Sequence, residues 1–91
     1  MIDLKPFFSQ WPAIEKVLLF GSRARGDHQA RADIDLAIAC PTISENEWIY
    51  LREAIEEIPT LLEFDVVRFD TASKALQDVI LREGKIIYER H

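Results

Sequence analysis

The 91-residue chain lacks several features that would assign it to a specialised class of protein. It has one cysteine, so it cannot form an internal disulfide, which favours a reducing compartment. It has no apolar run long enough to cross a membrane, and its N-terminus has no apolar core of a signal peptide. We therefore expect a cytoplasmic protein that does not enter a membrane.

Basic residues are scarce relative to acidic ones. The chain carries 11 lysine and arginine residues against 16 aspartate and glutamate residues, and its formal net charge is -5. Proteins that bind nucleic acid generally present a basic face. This balance argues against direct nucleic-acid binding, although it is compatible with a local basic loop.

Apolar periodicity predicts one domain over residues 1–91, with the element order α-β-β-α-β-α-β. Helices are predicted at 3–10, 44–58 and 71–83, and strands at 17–20, 33–40, 63–69 and 85–89. Two consecutive strands before the long helix argue against a plain parallel Rossmann sheet. We predict an α/β (α+β) fold in which a mixed β-sheet packs against flanking helices.

Two aspartates, Asp33 and Asp35, begin the second predicted strand on either side of Ile34. Alternate side chains of a strand point to the same face, and two residues of rise separate the Cα atoms by about 7 Å. Carboxylates at this spacing can converge on one or two metal ions. Core packing gives a reason for Ile34 but for neither aspartate.

A third carboxylate, Asp65, lies in the middle of the third predicted strand. If the two strands are neighbours, about 4.8 Å separates them, and Asp65 joins the other two aspartates. Three carboxylates about 5 Å apart repel by roughly 3 kcal/mol per pair at an effective dielectric near 20. Such a cluster needs a cation, and ligands that are all oxygen favour Mg²⁺ or Mn²⁺.

A short basic loop precedes the aspartates and suits an anion. Gly21 lets the backbone approach without a clashing Cβ, and Ser22 offers its hydroxyl and its amide. Arg23 and Arg25 can bind phosphate oxygens in bidentate fashion. The loop has neither a Walker sequence nor the spacing of a dinucleotide-binding fingerprint. It predicts a site for the phosphates of a nucleotide.

Each of these features alone has an ordinary structural explanation. A Gly-Ser pair can end a strand, arginines and paired acids can be solvated surface charges, and a charge in an edge strand can block aggregation. Their occurrence together, in this order and spacing, favours a nucleotide site.

The combined pattern resembles that of the minimal nucleotidyltransferases, small members of the DNA polymerase beta-like nucleotidyltransferase superfamily. The shared residues are Gly21-Ser22 after an apolar strand, the Arg-Ala-Arg-Gly segment of residues 23–26, Asp33-x-Asp35, and Asp65 on a later strand. The resemblance covers nearly the whole chain. Ala32 departs from it, because family members commonly have serine there; the change removes one hydroxyl contact and no metal ligand.

The resemblance implies the polymerase beta-like nucleotidyltransferase fold and Mg²⁺-dependent nucleotidyl transfer. Asp33 and Asp35 would bind two Mg²⁺ ions, and Asp65 would complete the site and help to activate the acceptor hydroxyl. Ser22 and Arg23 would hold the β and γ phosphates. The expected donor is ATP or another NTP, and the expected product is a partner protein that carries AMP on a hydroxyl.

The resemblance also implies a partner, because such proteins often pair with a small helical HEPN-domain protein as antitoxin and toxin. Five residues suggest more apolar surface than one core can bury, namely Trp11, Trp48, Ile49, Tyr50 and Tyr88. Two alternatives stay open. One is a non-catalytic, partner-binding antitoxin with a vestigial nucleotide site. The other is a phosphatase of the haloacid dehalogenase type, whose Asp-x-Asp follows a strand, whereas here the strand follows the aspartates.

Overall fold

A computed structural model describes residues 4–21, 34–60 and 63–90, and within them the predicted order of elements is confirmed. The elements are α1 (Lys5–Ser9), β1 (Lys16–Phe20), β2 (Ile34–Ala39), α2 (Glu45–Glu56), β3 (Phe64–Arg68), α3 (Lys74–Glu83) and β4 (Lys85–Glu89). A short 3-10 helix, Phe69–Thr71, lies between β3 and α3.

The four strands form a mixed sheet, as the sequence predicted, and their order in the sheet is β3-β2-β1-β4. Strand β1 is antiparallel to both β2 and β4, whereas β2 and β3 are parallel. A parallel pair requires a crossover, and α2 lies in the connection between β2 and β3. As a result, β1 ends at the same edge of the sheet at which β2 and β3 begin.

The larger apolar cluster lies between one face of the sheet and helices α1 and α2. Strand β2 contributes its alternate residues Ile34, Leu36 and Ile38, and α2 contributes Leu51 and Ile55 one helical turn apart. Burying one side chain of this size contributes about 1.5–3 kcal/mol. These contacts hold one face of β2 in the core, and Asp35 lies on the opposite face of the strand.

The opposite face of the sheet carries a smaller cluster under α3. Leu18 and Ala37 are partners in the β1/β2 register, and the fully buried Ile80 of α3 packs against them. The i, i+4 pair Leu76 and Ile80 thus faces the sheet. We expected Ala75 to point inward as well, but it is exposed, because it lies about 100° around the helix from Leu76, which faces the sheet.

Serine side chains define the starts of α2 and α3. Ser44 Oγ accepts the Glu47 N–H at 3.1 Å, and Ser73 Oγ accepts the Leu76 N–H at 3.2 Å. Each bond satisfies a backbone donor that has no partner within the helix. Helix α3 therefore begins at Lys74, three residues after the predicted start at 71.

The five residues that suggested more apolar surface than one core can bury divide into two groups. Trp11, Trp48 and Tyr88 pack against the larger cluster, and the Tyr88 ring lies 5.9 Å from that of Phe8. On α2, by contrast, Ile49 is 51% exposed and Tyr50 is 62% exposed. No helix in the described part of the chain is both long enough and apolar enough to span a membrane.

Candidate functional site

Asp35 of β2 and Asp65 of β3 are direct partners in the parallel register. Strand β3 is thus the neighbour of β2 on which the sequence argument depended, and the lateral spacing of the two chains is about 4.8 Å. Phe20 of β1 is the partner of Asp35 on its other side. The two aspartates and Phe20 form one row across three strands.

This row adjoins the part of the sheet that α3 covers. It lies two residues, or about 7 Å, from the row of Leu18 and Ala37, on the same face. Asp35 is half-buried at the margin of the smaller cluster, whereas Asp65 is exposed. The pair therefore has apolar packing on one side and solvent on the other, an arrangement that allows a charged ligand to reach it.

Gly21 follows β1 directly and brings its backbone against Asp35. Its φ is 78°, in the left-handed region that glycine adopts without steric cost. A Cβ at this position would collide with Asp35 Oδ2 and lie 3.1 Å from Asp35 Cγ. The glycine is needed both for its backbone conformation and for the space that the carboxylate occupies.

Four other predicted site residues lie outside the described residues, namely Ser22, Arg23, Arg25 and Asp33. Among residues 4–21, 34–60 and 63–90, no group of three or more histidine, cysteine, aspartate or glutamate residues is placed to hold a metal ion. The described part of the site supplies two carboxylates. Their oxygens are the donor type that Mg²⁺ and Mn²⁺ prefer, so these residues fit such an ion.

Two polar contacts near the end of β3 were not anticipated from the sequence. Asp70 Oδ2 accepts the backbone N–H of Cys40 at 2.6 Å, and Arg68 Nη2 donates to the carbonyl of Ile43 at 3.2 Å. Each contact joins residues at least 25 positions apart in the chain. No local pattern indicates such partners, so the sequence carried no signal for them.

Cys40 is fully buried beside these contacts. The pKa of its thiol is raised from 9.0 to about 11, chiefly by burial and also by the Asp70 carboxylate, while Arg68 acts to lower it. A thiol with so high a pKa is neutral near pH 7 and a poor nucleophile. Cys40 is therefore a small apolar group of the core, as the sequence suggested, and takes no part in the chemistry of the site.

Residues 3–91 match the family described as Polymerase beta, Nucleotidyltransferase. The chain belongs to this family. The resemblance rested on Gly21-Ser22, the segment of residues 23–26, Asp33-x-Asp35 and Asp65. It is thus confirmed at the level of the family. The mixed four-stranded sheet with helices agrees with the fold that the family implies.

One similar protein is the protein adenylyltransferase MntA of Aphanizomenon flos-aquae, strain 2012/KM1/D3. It is 31% identical over 88 residues, which cover 86% of this chain and 59% of that protein. The chain thus spans less than two thirds of the length of this relative.

Two solved structures have the same fold. A toxin–antitoxin structure with AMP-PNP has a TM-score of 0.76 at 22% identity, covering 97% of this chain and 71% of that one. A complex of the tri-AMPylated Shewanella oneidensis HEPN toxin with an MNT antitoxin has a TM-score of 0.59 at 23% identity. That match covers 91% of this chain and 63% of that one. At these identities the two structures establish the likeness of the fold alone.

Proposed function

We propose that this chain is a Mg²⁺-dependent nucleotidyltransferase that moves AMP from ATP to a hydroxyl of a partner protein. We further propose that the partner is a small helical HEPN-domain toxin and that the chain acts as its antitoxin. The observation that carries the proposal is the Asp35–Asp65 pair in one row of the sheet, with the backbone of Gly21 against it.

In this proposal the donor nucleotide lies along the loop that begins at Gly21. The amide and hydroxyl of Ser22 would donate hydrogen bonds to its β and γ phosphates, and the guanidinium groups of Arg23 and Arg25 would offset their charge. Such binding orients the α phosphate towards the carboxylates and stabilises the pyrophosphate as it departs. Gly21 contributes space, since a side chain there would compete with the carboxylate of Asp35.

The transfer itself is an in-line displacement at the α phosphorus. The acceptor oxygen forms a bond to phosphorus, the bond from that phosphorus to the oxygen bridging to the β phosphate breaks, and pyrophosphate leaves with the electron pair. Asp65 would accept the proton of the acceptor hydroxyl. Its exposure suits this role, because a protein substrate must reach it from solvent.

Asp33, Asp35 and Asp65 would hold the metal. When bound, Mg²⁺ would offset the charge that develops on the attacking and leaving oxygens. The like charges of Asp35 and Asp65 in adjacent strands support this assignment, because a cation removes their mutual repulsion. Two ions are proposed, with Mn²⁺ as an alternative to Mg²⁺.

The comparisons support AMP as the group transferred and a HEPN protein as the acceptor. The relative from Aphanizomenon flos-aquae is named as a protein adenylyltransferase, and the Shewanella oneidensis toxin is described as AMPylated in its complex with an MNT antitoxin. AMP-PNP, in the other toxin–antitoxin structure, is an analogue of the proposed donor.

The test is incubation with a purified HEPN-domain partner, Mg²⁺ and ATP labelled at either the α or the γ phosphate. We expect label from the α phosphate, and none from the γ phosphate, to enter the partner. Asp35→Ala should reduce transfer on the order of 1000-fold, since the metal contributes several kcal/mol. Asp78→Asn is the matched control, because it removes a carboxylate from the exposed side of α3. Transfer that survives Asp35→Ala would contradict the metal assignment.

A second candidate is neutralisation of the partner by contact alone. It is favoured by the exposed apolar side chains of Ile49 and Tyr50, which offer a surface for protein binding. A folded Asp33→Ala/Asp35→Ala protein distinguishes the two. If it neutralises the toxin as well as the wild type does, contact is sufficient; if it does not, transfer is required.

A further inference from the structure

The register of β3 against β2 decides whether Asp65 lies opposite Asp35, and apolar packing fixes that register only in part, because Phe64 and Val66 pack against the larger cluster without being fully buried. Strand β3 is at the edge of the sheet, and none of its five residues is fully buried. A shift of one residue would turn Asp65 to the opposite face. The connection from β2 contains α2, so no tight turn sets the pairing as it would in a hairpin.

Asp70 and Arg68 join the end of β3 to the chain that follows β2. Cys40 is the first residue after β2, and its backbone N–H donates to Asp70 Oδ2 at 2.6 Å. Ile43 lies three residues further on, and its carbonyl accepts from Arg68 Nη2 at 3.2 Å. Both bonds run from a side chain near the end of β3 to the backbone beyond β2.

These two bonds are sensitive to the position of β3 along β2. A shift of one residue moves the strand by about 3.3 Å, which is more than either bond can tolerate. The Cys40 residue is fully buried, and a buried donor without a partner costs about 1–3 kcal/mol. The bond to Asp70 in particular therefore stabilises the observed register relative to registers that are shifted by one residue.

We propose that Asp70, assisted by Arg68, is a positioning residue that sets Asp65 opposite Asp35. It touches neither nucleotide nor acceptor and acts on transfer only through the register of β3. Its effect on transfer rests on the proposed function, whereas its effect on the pairing of the strands does not.

The test compares Asp70→Leu with Asp70→Asn. Leucine removes the acceptor for the Cys40 N–H, whereas the amide oxygen of asparagine retains one. The control for lost stability is Arg90→Met, because Arg90 makes bonds of the same kind, from Nε to the Ile14 carbonyl and from Nη2 to the Trp11 carbonyl, both at 3.0 Å. These bonds join the end of β4 to the chain before β1, far from β3.

Three quantities are measured for each variant: the pairing of β2 with β3 by nuclear Overhauser contacts, the thermal unfolding midpoint, and the rate of nucleotidyl transfer. In Asp70→Leu we expect the contacts between Asp35 and Asp65 to weaken and transfer to fall by about 100-fold or more, since a misplacement of 1 Å already costs about 100-fold and a shift of one residue is larger. In Asp70→Asn the contacts between Asp35 and Asp65 and the rate of transfer should both stay close to those of the wild type. Arg90→Met should lower the midpoint without changing either.

If Asp70→Leu keeps the wild-type strand pairing and transfers as well as Arg90→Met does, the positioning role is overturned. If Asp70→Leu does not fold, Arg68→Met replaces it, since it removes the donor to Ile43 together with Nε, a buried donor with no partner among the described residues. Arg68→Met should then weaken the pairing, and unaltered pairing would overturn the proposal. If the wild type transfers nothing, the proposed function fails, and the strand pairing still decides the role of Asp70.

Discussion

The carboxylate of Asp35 occupies the space into which a side chain at Gly21 would project. This contact joins the residue that follows β1 to the second residue of β2. It brings the start of the basic loop against a carboxylate of the proposed metal site. A substitution at this point therefore acts on both parts of the site at once.

Gly21→Ala should abolish transfer and also destabilise the fold. The left-handed conformation costs a residue other than glycine about 1–2 kcal/mol, and the new Cβ must displace Asp35. The measurements are the free energy of unfolding in urea and the transfer of α-labelled phosphate.

Gly84→Ala is the matched control for this prediction. Its φ of -74° is ordinary, but a Cβ there would press on the carbonyl of Ile80 and lie 3.3 Å from Leu18 Cδ2. It should destabilise the protein by crowding while transfer by the folded fraction stays normal. Equal loss of transfer per folded molecule in both variants would contradict the role assigned to Gly21.

Mg²⁺ should raise the thermal midpoint of the wild type and have little effect on that of Asp65→Asn. A ligand that binds only the folded state stabilises it by mass action, and asparagine removes one charge from the pair that attracts the ion. Without Mg²⁺ the midpoint of Asp65→Asn should be higher than that of the wild type, because the substitution relieves the repulsion between Asp35 and Asp65. Scanning calorimetry with and without Mg²⁺ measures both effects. An equal Mg²⁺ response in the two proteins would exclude Asp65 as a ligand.

The Cys40 thiol should contribute a dependence of stability on pH between about 9 and 11. Its pKa in the folded protein is raised from 9.0 to about 11, so its contribution is fully present below pH 9. The contribution is lost as the pH rises through the folded value, since the unfolded thiol ionises first. The difference in unfolding free energy between the wild type and Cys40→Ala should shrink over this range. Parallel curves for the two proteins would show that the pKa is not raised.

The same burial should protect Cys40 from alkylation. In native conditions near pH 8 we expect iodoacetamide to react far more slowly with the folded protein than with the urea-unfolded chain, because reaction requires an exposed thiolate. Mass spectrometry of the labelled chain measures the two rates. Similar rates would indicate that the region around Cys40 opens readily.

Much of the fold could be predicted because its signals are local. The alternation of Ile34, Leu36 and Ile38 identified β2, and the predicted range of β4 was the observed one. The start of α3 was set too early, since Ser73, rather than Thr71, caps the helix. Local patterns therefore predicted which helices and strands exist more accurately than the residue at which each one begins.

The candidate site was only partly predictable. Asp35 stood out because core packing gives no reason for it, and Gly21 and Asp65 stood out through their order and spacing relative to it. The two carboxylates could meet only if β3 adjoins β2. That condition is a property of the sheet order and could not be read from either strand alone. The contact of Asp70 with Cys40 was not foreseen at all, because it joins residues 30 apart through a side chain with no local signature.

The sequence by itself determined the chemical character of this protein: its family motif, its paired acids and basic loop, and the periodicities of its helices and strands. These follow from the kinds of residue and their spacing along the chain. Only the tertiary structure decided that Asp65 lies opposite Asp35, that Gly21 packs against the Asp35 carboxylate, and that Asp70 ties β3 to the end of β2. The physical reason is that a strand carries its side-chain alternation in its own residues, whereas its neighbour and register depend on how distant parts of the chain pack together.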